Sequence, residues 1–184
     1  LIGKNERPRS TQSGSGVTWR SSSGLCDLTT GRGACLPLAP PGFAIDFDQV
    51  RAALTPRTRL LILNNPHNPA CVVYGREVLD ELAAALRGTE VLVLADEVYE
   101  HVGLDGRAHA SVLAHAELRE RALAAFSFGK TLHVTGWRVG CCVATPALMA
   151  EFRKVHQFNT FTIATPLQLG VARYLEERPE SWSG

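Results

Sequence analysis

The sequence has little net charge and no long apolar run. Its 184 residues carry a formal net charge of +1 at pH 7, and 45% of them are hydrophobic. Such a charge provides no electrostatic field that would attract nucleic acid. No run approaches the roughly 18 apolar residues that a membrane-spanning helix needs, and residues 1–5 do not begin the apolar core of a signal peptide. We therefore expect one soluble globular domain without a nucleic-acid or membrane partner.

The cysteines form no pairing motif. None of the five stands in a CxxC pair, and an odd number does not suit a disulfide framework. They are Cys26, Cys35, Cys71, Cys141 and Cys142. We expect no metal site, reduced thiols and a cytoplasmic location.

The first part of the chain, residues 1–34, is rich in Ser, Gly, Thr and Arg and shows little periodicity. This composition predicts mostly irregular or disordered chain. A basic arm that uses Arg7, Arg9 and Arg20 is the functional alternative, and it is the weaker one.

From residue 46 onward, helical and strand patterns alternate. Apolar spacing predicts a helix over 46–54, a strand over 59–63, a helix between Gly75 and Gly88, and a strand over 90–95. The continuous apolar run at 60–63 is typical of a strand that is buried on both faces of a parallel sheet. This alternation predicts a right-handed parallel crossover.

The second half of the chain continues the alternation. A polar loop over 101–111 precedes a short charged helix at 117–121. Apolar runs predict further strands over 122–127 and 138–144, followed by helices over 146–158 and from 165 to Pro179. In the first of these helices we expect Leu148, Phe152 and Val155 to be buried. The pattern as a whole predicts an α/β fold, a three-layer α/β/α arrangement around a mostly parallel sheet.

Lys130 stands where the strand over 122–127 gives way to a turn, in the run Ser-Phe-Gly-Lys-Thr. Most lysines are solvated surface charges, but the preceding glycine lets the backbone approach closely, so the amine has access to a pocket. The Gly-Lys-Thr tail also matches a phosphate-binding nucleotide loop. That loop needs a second glycine five residues before Gly129, where this chain has Ala124, so the nucleotide-loop interpretation fails.

Two further motifs follow apolar runs. These are Asn-Asn-Pro-His-Asn-Pro at 64–69 and Ala-Asp-Glu-Val-Tyr-Glu at 95–100. Together with the Lys130 run and Thr-Gly-Trp-Arg-Val-Gly at 135–140, they resemble the large domain of the fold-type I, pyridoxal-phosphate-dependent aminotransferases of class I and II. The resemblance extends from about residue 41 to about residue 182. Residues 108–115, the run through 130–140 and residues 153–157 most resemble methionine and kynurenine-type aminotransferases.

The resemblance implies a cofactor, pyridoxal 5'-phosphate, and assigns roles to individual residues. Lys130 would react with the cofactor aldehyde and later move a proton on the substrate. Asp96 would pair with the ring nitrogen, and Tyr99 and Asn68 would hydrogen-bond the 3-oxygen. The alternatives are a surface charge for Lys130, a capping aspartate, a core tyrosine and a turn-forming asparagine.

By the same resemblance, Ser127 and Arg138 would bind the cofactor phosphate. The alternatives are a strand-end serine and a surface arginine. Asn65, His67 and Trp137 are predicted to be structural.

Several parts of the resembling family have no counterpart here, namely the phosphate loop, the ring-stacking aromatic residue and the small C-terminal domain. We therefore expect residues 35–160 to form a partial cofactor-binding large domain and residues 161–184 to begin the connection to a small domain.

The expected activity is transamination of an amino acid (methionine, aromatic or kynurenine-like) with a 2-oxo acid, reduced or absent in this chain alone. The alternatives are cysteine-conjugate β-lyase activity and an inactive remnant or interaction module without cofactor. The resemblance also implies a homodimer.

Overall fold

A computed structural model describes residues 24–27, 32–103 and 106–178, and it contains one mixed β-sheet. The strands are β1 Gly24–Asp27, β2 Arg32–Cys35, β3 Leu60–Asn64, β4 Leu92–Asp96, β5 Ala122–Ser127 and β6 Gly140–Ala144, arranged in the order β2-β1-β3-β4-β5-β6. The central strands β3, β4 and β5 are parallel, while the flanking pairings of β1 and β6 are antiparallel. This architecture confirms the predicted α/β fold class.

Helices occupy the connections between the strands and the end of the described chain. They are α1 Phe47–Ala53, α2 Arg76–Leu86, α3 Ala116–Arg119, α4 Phe128–Thr131, α5 Pro146–Asn159 and α6 Thr165–Glu177. The Asp46 side chain caps α1 by accepting hydrogen bonds from the Asp48 and Gln49 amides. Gly88, just beyond α2, has φ +74°, a left-handed conformation that suits glycine. None of the helices in the described ranges is long and apolar enough to cross a membrane.

The core lies on one face of the sheet. Alternate residues of β3, β4 and β5 form this face and pack in one cluster with Leu79, Leu82 and Leu86 of α2; they are Leu61, Leu63, Val93, Ala95, Ala122 and Ala124. Leu60 and Ile62 point to the other face and are only half-buried. The prediction that β3 is buried on both faces is therefore wrong for the part of the chain described.

Two further expectations concern the ends of the described chain. Mostly irregular chain is predicted over 1–34, and within it the structure describes the strand β1 and the first residues of β2. Residues 1–23 and 28–31 lie outside the described residues, so the expectation for the whole segment stays a prediction. β1 joins the sheet through main-chain pairing with β3. Such pairing does not require a regular alternation of apolar and polar side chains. In α5, Phe152 and Val155 are 37% and 69% exposed, because no described element covers that face. The predicted boundary after residue 160 falls between α5 and α6 and stays a prediction.

Candidate active site

The motif residues leave the sheet at one edge. Asn64 ends β3, Asp96 ends β4 and Ser127 ends β5. Asn64 pairs with Asp96 in the parallel register, and Asp96 pairs with Ala125. The segments that follow these strands therefore start side by side, at the carboxyl edge where sheets of this kind bind ligands.

Asn68, Tyr99 and Lys130 meet beyond this edge. The Asn68 side-chain amide donates a hydrogen bond to the Tyr99 hydroxyl over 3.0 Å. The Lys130 Nζ atom lies 5.3 Å from the centroid of the Tyr99 ring, within cation–π distance. An amide, a phenol and an amine from separate parts of the sequence thus converge on one place.

The strand ends hold Asn68 in position. Asn64 Oδ1 accepts a hydrogen bond from the Asn68 amide over 2.7 Å, while Asn64 Nδ2 donates to the Asp96 carbonyl over 3.0 Å. The same carbonyl accepts from the Asn65 amide over 3.0 Å. The end of β4 and the turn that carries Asn68 are therefore joined through Asn64.

Asp96 is half-buried at the end of β4. Among the residues that the structure describes, its carboxylate has one hydrogen bond, a long one of 3.5 Å from the Val98 amide. A half-buried carboxylate that is weakly bonded by the protein has capacity left for a cationic partner.

The turn that carries Lys130 requires glycine. A Cβ on Gly129 would lie 2.9 Å from Thr135 Cα and 3.2 Å from Ser127 Oγ. The Thr135 hydroxyl also donates to the Gly129 carbonyl over 2.8 Å. The 127–131 segment therefore packs closely against Thr135. This packing fixes the position of the backbone from which the half-buried Lys130 side chain extends.

Arg138 reaches this turn indirectly. It is exposed, has φ +58°, and its guanidinium donates to the Thr135 carbonyl over 3.3 Å. Ser127 is half-buried at the end of β5. The structure thus brings three predicted site residues together. Asp96 and Ser127 end neighbouring strands at the same edge, and Arg138 is bonded to Thr135.

The residues present fit pyridoxal phosphate. Asn68 and Tyr99 meet at one point, where both can donate to a single oxygen atom. The close approach at Gly129 leaves Ser127 beside the Lys130 turn, where a hydroxyl suits a phosphate. The same described residues contain no cluster of three or more groups that could hold a metal ion.

Asn65 and His67 are buried, as a structural role requires. The Asn65 side chain bonds the Tyr74 amide and carbonyl and the Ala110 carbonyl, and burial lowers the pKa of His67. Burial also raises the pKa of Tyr74 to about 12. The structure also pairs Glu97 with His109, which the sequence motifs do not predict. The only sequence signal for this pair is that a charged residue, Glu97, stands next to the predicted ligand Asp96.

The sequence is similar to those of known proteins over most of its length. The sequence model of the family "Aminotransferase class I and II" matches residues 15–182, and so begins earlier than the predicted start near residue 41. A methionine aminotransferase of Escherichia coli is 50% identical over 147 residues, which cover 80% of this chain and 38% of the relative. A kynurenine–oxoglutarate transaminase of Dictyostelium discoideum is 39% identical, covering 72% and 31%.

Solved structures give the same result. The crystal structure of Escherichia coli YbdL, described as having a methionine aminotransferase function, superposes with a TM-score of 0.77 at 50% identity, covering 80% of this chain and 39% of that one. N-succinyldiaminopimelate aminotransferase of Mycobacterium tuberculosis has a TM-score of 0.75 at 35% identity, covering 80% and 38%. This chain thus spans about two fifths of the length of these relatives. The predicted resemblance is confirmed: the chain belongs to the class I and II aminotransferase family.

Proposed function

We propose that the protein transfers an amino group between an amino acid and a 2-oxo acid, with pyridoxal phosphate as cofactor, and that six residues of this chain contact the cofactor. The observation that carries the proposal is the convergence of Asn68, Tyr99 and Lys130. When bound, the cofactor supplies an electron sink for the substrate carbanion. A remnant without a site would not need a lysine over a tyrosine that is itself bonded by an asparagine.

Each residue at the edge has a role in this proposal. Lys130 would hold the cofactor, and its amine would move a proton at the substrate Cα. Tyr99 and Asn68 would donate hydrogen bonds to the cofactor 3-oxygen. The Asp96 carboxylate would pair with the ring nitrogen and favour its protonated form.

Ser127 and Arg138 are proposed to hold the phosphate. The Arg138 guanidinium donates to the Thr135 carbonyl, and the Thr135 hydroxyl donates to the Gly129 carbonyl beside Lys130. The proposed phosphate and amine sites are therefore connected through hydrogen bonds. A guanidinium suits this role because its fork bonds two oxygens at once.

The proposed substrates are methionine, aromatic or kynurenine-like amino acids, since relatives named for methionine and kynurenine are 50% and 39% identical to this chain. We propose the cytoplasm as the location. Cys35, Cys71, Cys141 and Cys142 are free thiols, which are typical of a reducing compartment.

We also propose that the intact protein is a homodimer. Exposed apolar side chains on and between α5 and α6 support it: Val155 is 69%, Phe158 89%, Phe161 74% and Leu169 65% exposed. Such a surface favours association. Sedimentation analysis of this chain and of a Phe158→Ser variant tests whether this surface associates. A dimer weakened by the substitution is expected, and a monomer at all concentrations would remove this support for the dimer.

The test of function is a titration of the purified chain with pyridoxal phosphate, followed by visible absorbance. We expect a protein-bound band that is absent in Lys130→Ala and retained in the control Lys154→Ala. Lys154 is a suitable control because it is exposed and paired with Glu151 on α5. A band that survives in Lys130→Ala, or no band in the unaltered chain, would contradict the proposal.

A further inference from the structure

A buried carboxylate separates the two predicted cofactor ligands of the 95–100 motif. Glu97 lies between Asp96 and Tyr99 in sequence, and it is only 1% exposed. Its backbone amide donates to the Ala125 carbonyl over 2.9 Å, so it extends the contact between β4 and β5. A charge removed from water to this degree needs partners on its oxygens.

Both carboxylate oxygens of Glu97 have such partners. Oε2 lies 3.0 Å from His109 Nε2, and Oε1 accepts from the Val112 amide over 2.8 Å. At this distance the carboxylate and the imidazole share one hydrogen bond. Val112 is itself 1% exposed and belongs to the core. Glu97 therefore ties the end of β4 to the segment 109–112.

The same segment is bonded to the turn that carries Asn68. The Asn65 side chain donates to the Ala110 carbonyl over 3.2 Å, and Asn68 follows Asn65 by one short turn. The circuit closes at the site, where Asn68 donates to the Tyr99 hydroxyl over 3.0 Å. We call this closed circuit through 65–68, 97–99 and 109–110 the hydrogen-bonded ring.

We propose that Glu97 is a positioning residue of the active site, which acts through the hydrogen-bonded ring. Glu97 is buried and is not one of the predicted cofactor ligands. The Glu97 side chain pairs with His109 and so holds the 109–110 segment, whose Ala110 carbonyl accepts a hydrogen bond from Asn65. The Glu97 backbone is two residues from Tyr99. The place where the Asn68 amide and the Tyr99 hydroxyl meet is thereby determined from both sides. This inference rests on the proposed function for its catalytic meaning.

A matched pair elsewhere in the chain provides the control. His115 Nε2 lies 3.1 Å from Asp80 Oδ1, the same chemical pairing at nearly the same distance. The Asp80 side chain is 58% exposed, and the pair joins α2 to His115, which precedes α3. The His115 amide donates to the Val112 carbonyl over 3.2 Å, so the control pair reaches Val112 but not Asn65, Asn68 or Tyr99. Asp80→Asn therefore removes an equivalent charge without cutting the ring.

The first test uses the chain without cofactor. Glu97→Gln keeps the size of the side chain and an oxygen that can accept from Val112. It replaces the carboxylate oxygen that faces His109 by an uncharged amide group. We expect amide hydrogen exchange to rise about tenfold in the peptides that contain Tyr99 and Val112, which corresponds to about 1.4 kcal/mol. Asp80→Asn is expected to leave the Tyr99 peptide unchanged. Equal exchange in Glu97→Gln and the unaltered chain would overturn the inference.

The second test measures pyridoxal phosphate affinity well below the unfolding temperature. A merely structural Glu97 would lower Tm and leave the affinity of the folded chain unchanged. We expect Glu97→Gln to weaken binding about tenfold, again about 1.4 kcal/mol. In a Tyr99→Phe background the same change is expected to have little further effect, because both act through one hydroxyl. Fully additive losses, or an unchanged affinity, would overturn the inference.

The two tests separate the inference from the function. A chain that takes up no cofactor refutes the proposed function, and hydrogen exchange alone then decides whether Glu97 positions the ring. If Glu97→Gln does not fold, as judged by circular dichroism, His109→Leu takes its place. This substitution breaks the ring at the same contact, because it removes the imidazole that pairs with Glu97. The same outcomes then apply.

Discussion

Replacing Gly140 by alanine is expected to destabilise the strand pair that carries the Lys130 turn. Gly140 pairs with Ser127 across β5 and β6, and a Cβ on it would lie 2.4 Å from the Phe126 carbonyl oxygen. Real Cβ contacts essentially never fall below 3.0 Å, so the strands must separate by at least about 0.6 Å. The obstacle is backbone and cannot rotate away. Overpacking of this kind costs about 1–3 kcal/mol, which lowers Tm by about 2–12 °C in a chain of this size.

Gly136→Ala is the matched control. Gly136 lies in the same segment, but a Cβ there would meet nothing within 4 Å. We expect its effect on the free energy of unfolding to stay within about 0.5 kcal/mol. Thermal unfolding followed by circular dichroism compares the two variants. Equal Tm values for Gly140→Ala and Gly136→Ala would refute the argument that close backbone approach selects glycine at this position.

Three further predictions concern the core, the pH dependence and the site. Leu79→Ala, at a position only 2% exposed, is expected to cost about 2–5 kcal/mol in urea unfolding, against about 0.5 kcal/mol or less for Leu169→Ala, at a position 65% exposed. Burial raises the pKa of Tyr74 from 10.0 to about 12, so the unfolded chain loses this proton first. Stability should therefore fall as pH rises from 10 to 12, by up to about 1.4 kcal/mol per unit, and Tyr74→Phe should lack this slope. Asn68→Asp replaces a donor by an acceptor, so absorbance titration should show at least about tenfold weaker cofactor binding.

Each of these expectations has a contrary result. Similar losses for Leu79→Ala and Leu169→Ala would mean that the core is not where the structure has it. An equal alkaline slope in the unaltered chain and in Tyr74→Phe would show that another group titrates. Unchanged cofactor affinity in Asn68→Asp would remove Asn68 from the site.

The regular elements that the sequence predicts best are those with a local cause. Asp46 caps α1 through its own side chain, and Gly88 follows α2 in a left-handed conformation that few other residues adopt. The run over 122–127 was predicted with the bounds that the structure gives β5. Both kinds of signal act within a few residues, so the sequence alone displays them.

Burial depends on what lies across from a residue, and the sequence does not display that. Leu60 and Leu61 are chemically identical neighbours, yet the first is half-buried and the second is 6% exposed. Val155 has the spacing of a core residue and is 69% exposed in the described chain. β1 pairs with β3 through main-chain hydrogen bonds, which leave no trace in side-chain periodicity.

The candidate site was predictable as a set of residues and not as a geometry. Motif resemblance named Asn68, Tyr99 and Lys130, and the parallel strands explain why their segments start at one edge. The hydrogen bond between Asn68 and Tyr99 required coordinates. So did the pairing of Glu97 with His109, because the two residues are twelve positions apart in sequence, with part of a polar loop between them.

The central claim is that one lysine of this chain is placed to hold pyridoxal phosphate. The chain has three lysines, Lys4, Lys130 and Lys154, so chemical trapping can distinguish them. The measurement is borohydride reduction of the chain mixed with pyridoxal phosphate, followed by peptide mass mapping. The structure predicts a stable phosphopyridoxyl group on Lys130 at equimolar cofactor, with Lys154 unmodified. Equal labelling of Lys130 and Lys154, or no labelling of Lys130, would contradict the account.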